Sequence, residues 1–463
     1  MQNYTLEAAA KRQNEIQESL KSQPQNFLLP VFHAFSPAGW CNDPNGFSFF
    51  GGKCHLFFQY HPYSTQWGPM HWGHLCTSDF VLWEILEPAL APDSDFDCEG
   101  CFSGTAIEFE DRHILAYTGV SKNKKGETLQ NQCLAEGDGL CYKKILQNPV
   151  ISAANVPFEF QKGDFRDSKL WREDGKFYMA CVLKMPDGKG SLVCFRSENL
   201  LDWKFVSVID RSSGKSGMWE CPDIFKLDGK DVVIFSPQEM KADFENGLHD
   251  GNNSVYMTGF LKRPEFIFER EMRTENSLNF AQIDGGIDFY APQTCLAPDG
   301  RRIMIAWMQN WESYITPQNY LWSGMMTFPR ELEFKNGKLF QNPVRELLLY
   351  RKKCECGVVC GTSSFIKNGF SHGDIELEFF SAFENSADCK NQDEKFSLVL
   401  SRNVAGKKFS VEFTCDFAEQ TLCFDRRNSV EGGGKINFRK MKFPPSSFRN
   451  ENQPMKKGFP CGF

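Results

Sequence analysis

Short β-rich runs fill most of this chain and leave little room for any fold but an all-β one. They include CHLFFQY (54–60), HILAYTG (113–119), KFYMACVL (176–183), SLVCFR (191–196), DVVIFS (231–236), SVYMTGF (254–260) and RRIMIAW (301–307). Asp-Gly or Asn-Gly pairs stand between such runs at 174–175, 187–188, 228–229, 299–300 and 336–337. These pairs tolerate the positive φ that a two-residue hairpin demands, and no short-range hairpin signal is stronger. Helical periodicity is confined to LEAAAKRQNEIQESLKSQ at 6–23, which is rich in good helix formers and stops before Pro24. One element recurs: SDFVLWE at 78–84 and SENLLDWK at 197–204, each following a strand-like run. A strand–turn–Trp unit that repeats across an all-β region points to radial repetition, as in propeller blades.

At 463 residues the chain is too long for one small core. A net charge of −7 supplies no concentrated basic surface, so a nucleic-acid partner is not expected. No apolar run reaches membrane-spanning length. Residues 1–25 are polar and lack the apolar stretch of a signal peptide, which favours the cytoplasm. There the 18 Cys, which follow no regular spacing, are expected to stay reduced. Cys98 with Cys101, and Cys354 with Cys356 and Cys360, are too sparse for a zinc site, so neither metal nor cofactor is expected. His61, His71 and His74 alternate with Trp and Gly like strand residues and read as pocket-wall or core histidines.

Composition shifts near 345–365. Beyond it DIELEFF (374–380), FSLVLSR (396–402) and KFSVEFTC (408–415) alternate with period two, as strands of a half-buried sandwich do. From 431 the sequence becomes Gly-rich, then basic and Pro-rich, and reads as a solvated tail. The expected division is a helical extension at 1–29, a β-propeller at 30–345 and an incomplete β-sandwich at 346–463.

Three segments each set one acid among aromatic, amide or turn-forming neighbours: WCNDPNG (40–46), FRDSKLW (165–171) and MWECPDIF (218–225). Asp43, between Asn42 and Pro44, is expected on a tight turn that projects it rigidly. Trp219 and Cys221 imply partial desolvation of Glu220, which raises a carboxyl pKa and suits a proton shuttle. Arg166 beside Asp167 offers a cation to keep that acid ionised, although strand neighbours point to opposite faces. An acid, a nucleophile and an ionised stabiliser are the parts of a retaining glycosidase.

Together these segments resemble glycoside hydrolase family 32, the invertase (β-fructofuranosidase) and sucrose-6-phosphate hydrolase group, from about residue 30 to 345 and more weakly to about 430. The resemblance implies a five-bladed β-propeller followed by a β-sandwich. It makes Asp43 the nucleophile, Asp167 the transition-state stabiliser and Glu220 the acid/base. It places Asn42, Gln59, Trp67, Phe102, Ser103, Arg166, Trp219, Asp288 and Tyr290 around the sugar. The implied substrate is sucrose or sucrose 6-phosphate, with fructosyl transfer or non-catalytic sugar binding as alternatives, and a homo-oligomer is compatible with it. Cys41 and Ser168 stand where the family pattern has Met and Pro, and Pro would fix φ and remove a donor after Asp167.

Overall fold

The computed structural model describes residues 4–22, 29–214, 216–243, 247–271, 280–313, 320–335, 337–351, 395–404, 407–416, 419, 421–429 and 438–442. Its hairpins follow the turn chemistry. Asp174 and Gly175 take φ of 48° and 75°, and Asp228 and Gly229 take 49° and 82°, so both pairs close two-residue turns. Glu110 and Asp111 make the equivalent turn at 51° and 57° without glycine. The repeated strand–turn–Trp element also has one geometry in both copies. Asp79 Oδ1 accepts from the amides of Val81 and Leu82, and Asn199 Oδ1 from those of Leu201 and Asp202.

Among the described residues these hairpins build five four-stranded blades. Blade 1 comprises Gly39–Phe50, Lys53–His61, His71–Thr77 and Glu84–Ile85, and blade 2 Gly100–Phe109, Arg112–Lys122, Thr128–Gly137 and Tyr142–Lys144. Blade 3 comprises Gln161–Glu173, Lys176–Lys184, Gly190–Ser197 and Lys204–Arg211. Blade 4 comprises Trp219–Leu227, Lys230–Pro237, Val255–Lys262 and Ile267–Arg270, and blade 5 Tyr290–Leu296, Arg302–Trp307, Arg330–Lys335 and Lys338–Pro343. The first strand of each blade is its inner strand. The ring is closed by Trp322–Ser323, which pairs in parallel with Gly39 and Trp40, and by Met326 N donating to Ala34 O at 2.7 Å.

Each junction between blades holds its own apolar core. Phe57 and Trp72 of blade 1 meet Leu115 and Tyr117 of blade 2, while Ile114 and Ala116 of the same blade-2 strand meet Phe177 and Met179 of blade 3. A strand buried on both faces needs apolar residues at every position, which is why these runs lack polar alternation. Blades 5 and 1 share the largest cluster, through Tyr290, Ile303, Trp307, Trp40 and Phe58. The helix, Leu6–Ser22, lays Ala9, Gln13, Ile16 and Leu20 inward, and Gln13 Nε2 donates to Leu86 O at 2.9 Å. Ile16→Ala is expected to cost about 2–4 kcal/mol of stability, measured by urea unfolding, because the site is 5% exposed and joins that cluster.

The chain is therefore all-β, a five-bladed propeller with a β-sandwich domain after it, of which the described residues form one antiparallel sheet. That sheet runs Lys395–Val404, Lys407–Asp416, Thr421–Asp425 and Phe438–Lys442. The last strand corrects the reading of the basic tail. Phe438–Lys442 pairs with Thr421–Asp425, because an edge strand tolerates a lysine- and arginine-rich sequence that a buried strand would not. DIELEFF, Cys354, Cys356 and Cys360 lie outside the described residues. Among the described residues no helix is long and apolar enough to cross a membrane.

Candidate active site

Every inner strand breaks register near its N-terminal end. The skips fall between Cys41 and Pro44, Phe102 and Gly104, Arg166 and Lys169, Glu220 and Asp223, and Tyr290 and Gln293. Each is a bulge, which inserts unpaired residues and re-aims side chains. Five bulges at one level ring one mouth of the propeller axis. Asp43 thus lies in a bulged strand rather than on the turn its Pro-Asn-Gly sequence suggested, and Pro44 is accommodated because bulges tolerate a missing donor. Asp167 takes φ of 61° and Cys221 of 47°, conformations rare for residues with a Cβ. The Asp167 bulge also overrides strand alternation, so that Arg166 and Asp167 both face the mouth, 3.9 Å apart.

The bulges gather the three acids. Asp43 Oδ2 accepts from Ser103 Oγ at 2.8 Å and lies 3.5 Å from Cys221 Sγ. Asp43 Oδ1 has no partner among the described residues. Burial, then the charge of Glu220, pushes the Asp43 carboxyl up to about 6. Asp167 is fixed from three directions: its amide donates to Thr118 Oγ1 at 3.0 Å, its Oδ2 accepts from Cys221 N at 2.9 Å, and Cys221 Sγ stands 3.7 Å away. Burial raises the Asp167 pKa while Arg166 opposes it. Glu220 Oε1 accepts from Arg166 Nε and Nη2 at 3.1 and 3.0 Å, and its Oε2 accepts from Tyr290 OH at 2.6 Å. Arg166 is itself steadied by Asp164 at 2.7 Å.

The other expected sugar contacts divide. Asn42 Oδ1 accepts from Trp40 Nε1 at 2.8 Å, and Gln59 Nε2 donates to Cys101 O at 3.0 Å, so both amides are locked beside Asp43 and Ser103. Trp67 is 51% exposed and meets Phe102 edge-to-face with centroids 6.2 Å apart. Trp219 is buried against Phe235 and donates to Ser216 Oγ at 2.9 Å, which places it in the core between blades 3 and 4 rather than on the pocket wall. Asp288 is held by Arg426, which follows the C-terminal strand Thr421–Asp425, and by Ser313 Oγ at 2.9 Å. Ser168 leaves Asp167 well placed: its carbonyl accepts from Thr105 Oγ1 at 3.0 Å, which ties this bulge to blade 2. Cys221 escaped the sequence reading as a functional group, although it is the thiol that touches two of the acids.

Three carboxylates gathered at one mouth of a propeller, one with an unpartnered oxygen and one held by an arginine, make a β-propeller protein with a site that can support glycosidase chemistry. Comparison with known proteins agrees. The model of the glycosyl hydrolases family 32 N-terminal domain matches residues 33–343. The chain is 37% identical over 351 residues to raffinose invertase of Escherichia coli, covering 73% of this chain and 69% of that one. It is 40% identical over 344 residues to sucrose-6-phosphate hydrolase of Zymomonas mobilis, covering 70% of this chain and 63% of that one. The chain thus spans about two thirds of the length of these relatives. Among solved structures it resembles the GH32 beta-fructofuranosidase BmSUC1 of Bombyx mori at a TM-score of 0.76 and 29% identity, over 95% of this chain and 87% of that one. The chain belongs to glycoside hydrolase family 32.

Proposed function

We propose that this protein hydrolyses the terminal β-D-fructofuranosyl bond of sucrose or sucrose 6-phosphate by double displacement. The observation that carries the reading is Asp43, its Oδ2 held by Ser103 and Cys221 and its Oδ1 without a partner among the described residues. Asp43 attacks the anomeric carbon while Glu220 protonates the departing glucosyl oxygen, giving a fructosyl ester on Asp43 and free glucose or its 6-phosphate. Glu220, now a carboxylate, takes a proton from water, which attacks the ester and releases fructose. Asp167 faces the developing positive charge of the ring, and Tyr290 and Arg166 hold Glu220 in place. Ser103 and Cys221 hold Asp43 Oδ2, which leaves Oδ1 to attack.

The division at 1–29, 30–345 and 346–463 is supported by the fifth blade ending at Pro343. Work in the cytoplasm on a sugar imported as its phosphate fits the free thiols of the described cysteines. Fructose release from sucrose and sucrose 6-phosphate, read side by side as kcat/KM with the anomeric form of the product, tests the proposal. Retention at the anomeric carbon is expected, and inversion or inertness toward both sugars would overturn it. The exposed pair Trp67 and Phe102 is assigned to the sugar face. Trp67→Ala is expected to raise KM roughly tenfold with kcat little changed, because it removes binding shared by ground and transition states.

A further inference from the structure

The same inner strands that carry the acids at one mouth open at their other ends into a second cavity of about 510 Å³. It takes residues from every blade, among them Phe49, Ile107, Lys169, Phe225 and Thr294, with Arg302 from the second strand of blade 5. That volume is in the range of small-molecule sites.

Its lining is rich in cations, Lys169, Arg172, Lys226, Arg263 and Arg302 against Glu108, Glu173 and Asp231. Arg263 is taken up by Glu173 and by Asp231, the latter at 3.3 Å. Asp223, fully buried, has Lys169 Nζ at 2.7 Å and accepts from Thr294 N at 2.6 Å. Arg302 is a second cation close enough to feel the same carboxylate. Its guanidinium lies over the Phe225 ring at 4.9 Å, and its Nε is buried with no partner among the described residues. Thr294 Oγ1, on the same face of blade 5, is also buried without a partner. Strand register explains the grouping: Arg302 pairs with Leu296, two residues from Thr294, so all three side chains point one way. Two cations answer one carboxylate, and two buried polar groups that can donate hydrogen bonds stand idle. Idle buried donors are costly and mark a missing acceptor.

We propose that this distal mouth binds a small oxyanion of the phosphate class, free phosphate or the phosphate of a sugar monoester, between Arg302, Lys169 and Thr294. The planar guanidinium and the ammonium supply charge-assisted hydrogen bonds and the hydroxyl a neutral one. The site is remote from sugar turnover and independent of the catalytic assignment.

Calorimetric titration of the full-length protein with inorganic phosphate, at ionic strength matched by sodium chloride, tests it. Saturable binding is expected, weakened about tenfold by Arg302→Gln and by a smaller factor by Thr294→Val, with Arg302→Lys intermediate. Sucrose turnover is expected to stay unchanged in all three variants. Titration with glucose 6-phosphate, against glucose as control, separates the sources: tighter binding than phosphate marks a monoester site, and equal binding marks free phosphate. A response reproduced by chloride, affinity unaltered in Arg302→Gln, or displacement of phosphate by saturating fructose would overturn the proposal. Should Arg302→Gln fail to fold, Arg302→Lys and Thr294→Val carry the same comparison.

Discussion

Asp43→Asn is expected to silence sucrose turnover and to stabilise the protein in the same stroke. Removing the attacking oxygen leaves only positioning and Glu220, so kcat should fall on the order of 10⁴–10⁶-fold, as when other covalent nucleophiles are deleted. The stability gain follows from the burial that sets the carboxyl near 6 against an ordinary 3.8. An acid whose pKa is raised by folding binds more protons folded than unfolded between those two values. Its favourable contribution is complete below about 3.8 and is lost as pH rises through 6. At neutral pH the wild type therefore holds a charge that folding disfavours, and the amide removes it. Roughly 1–3 kcal/mol should be gained at pH 7.5 and almost nothing at pH 4, measured by urea unfolding at both. The same carboxyl should place the acid limb of kcat/KM near pH 6, since attack needs the ionised form. A variant as active as wild type, or one whose stability gain at pH 4 equals its gain at pH 7.5, would remove Asp43 from this role.

How the acids reach one another is where sequence reading stops. Asp174-Gly175 and Asp228-Gly229 announce their hairpins because only a few residue types accept two positive φ values, and the Ser-Asp and Ser-Glu-Asn repeats announce a shared turn through their side-chain oxygens. Both signals are local. The bulges are not: nothing in Arg166-Asp167-Ser168 encodes a φ of 61°, which is imposed by Thr118 and Cys221 reaching in from neighbouring blades. Alternation therefore misplaced Arg166 and Asp167 on opposite faces, and Pro44-Asn45-Gly46 read as a turn because those residues also suit a bulge. Trp219 was legible as an aromatic flank but not as a core residue, since its burial depends on Phe235 and Ser216 in strands and loops that sequence spacing does not order. Glu110-Asp111 shows the converse, a tight turn without a turn signature, held by the strands on either side.

Acid is expected to unfold this protein through its histidines, and their hydrogen bonds say why. Ser48 Oγ donates to Gly46 O at 2.7 Å, so it must accept from His113 Nε2 at 2.9 Å, and His113 Nδ1 is left to accept from Tyr142 OH at 2.8 Å. His55 Nε2 donates to Phe50 O at 3.2 Å, so its Nδ1 accepts from His74 Nε2 at 2.9 Å. That leaves His74 Nδ1 a bare lone pair, buried with no partner among the described residues. Each ring is satisfied only when neutral, and a second proton on any of them breaks a bond or buries an unmatched charge. Burial lowers the pKa of His55, His61, His71, His74 and His113, to about 3 for His71 and His113, against an ordinary 6.5. The unfolded chain then binds more protons than the folded one below 6.5, so stability is full above that value and drains as pH falls toward 3. Each such histidine contributes up to about 1.4 kcal/mol per pH unit in that window. Asp43, Asp97, Asp167 and Asp288, raised by burial, act in the opposite sense, but four raised acids do not offset five lowered histidines. The unfolding free energy should therefore fall steeply from pH 6.5 to 5, and His74→Phe, which keeps the ring stack with Phe57, should lower the slope by about one proton. Stability that is flat across this range, or a slope untouched by His74→Phe, would place the acid sensitivity elsewhere.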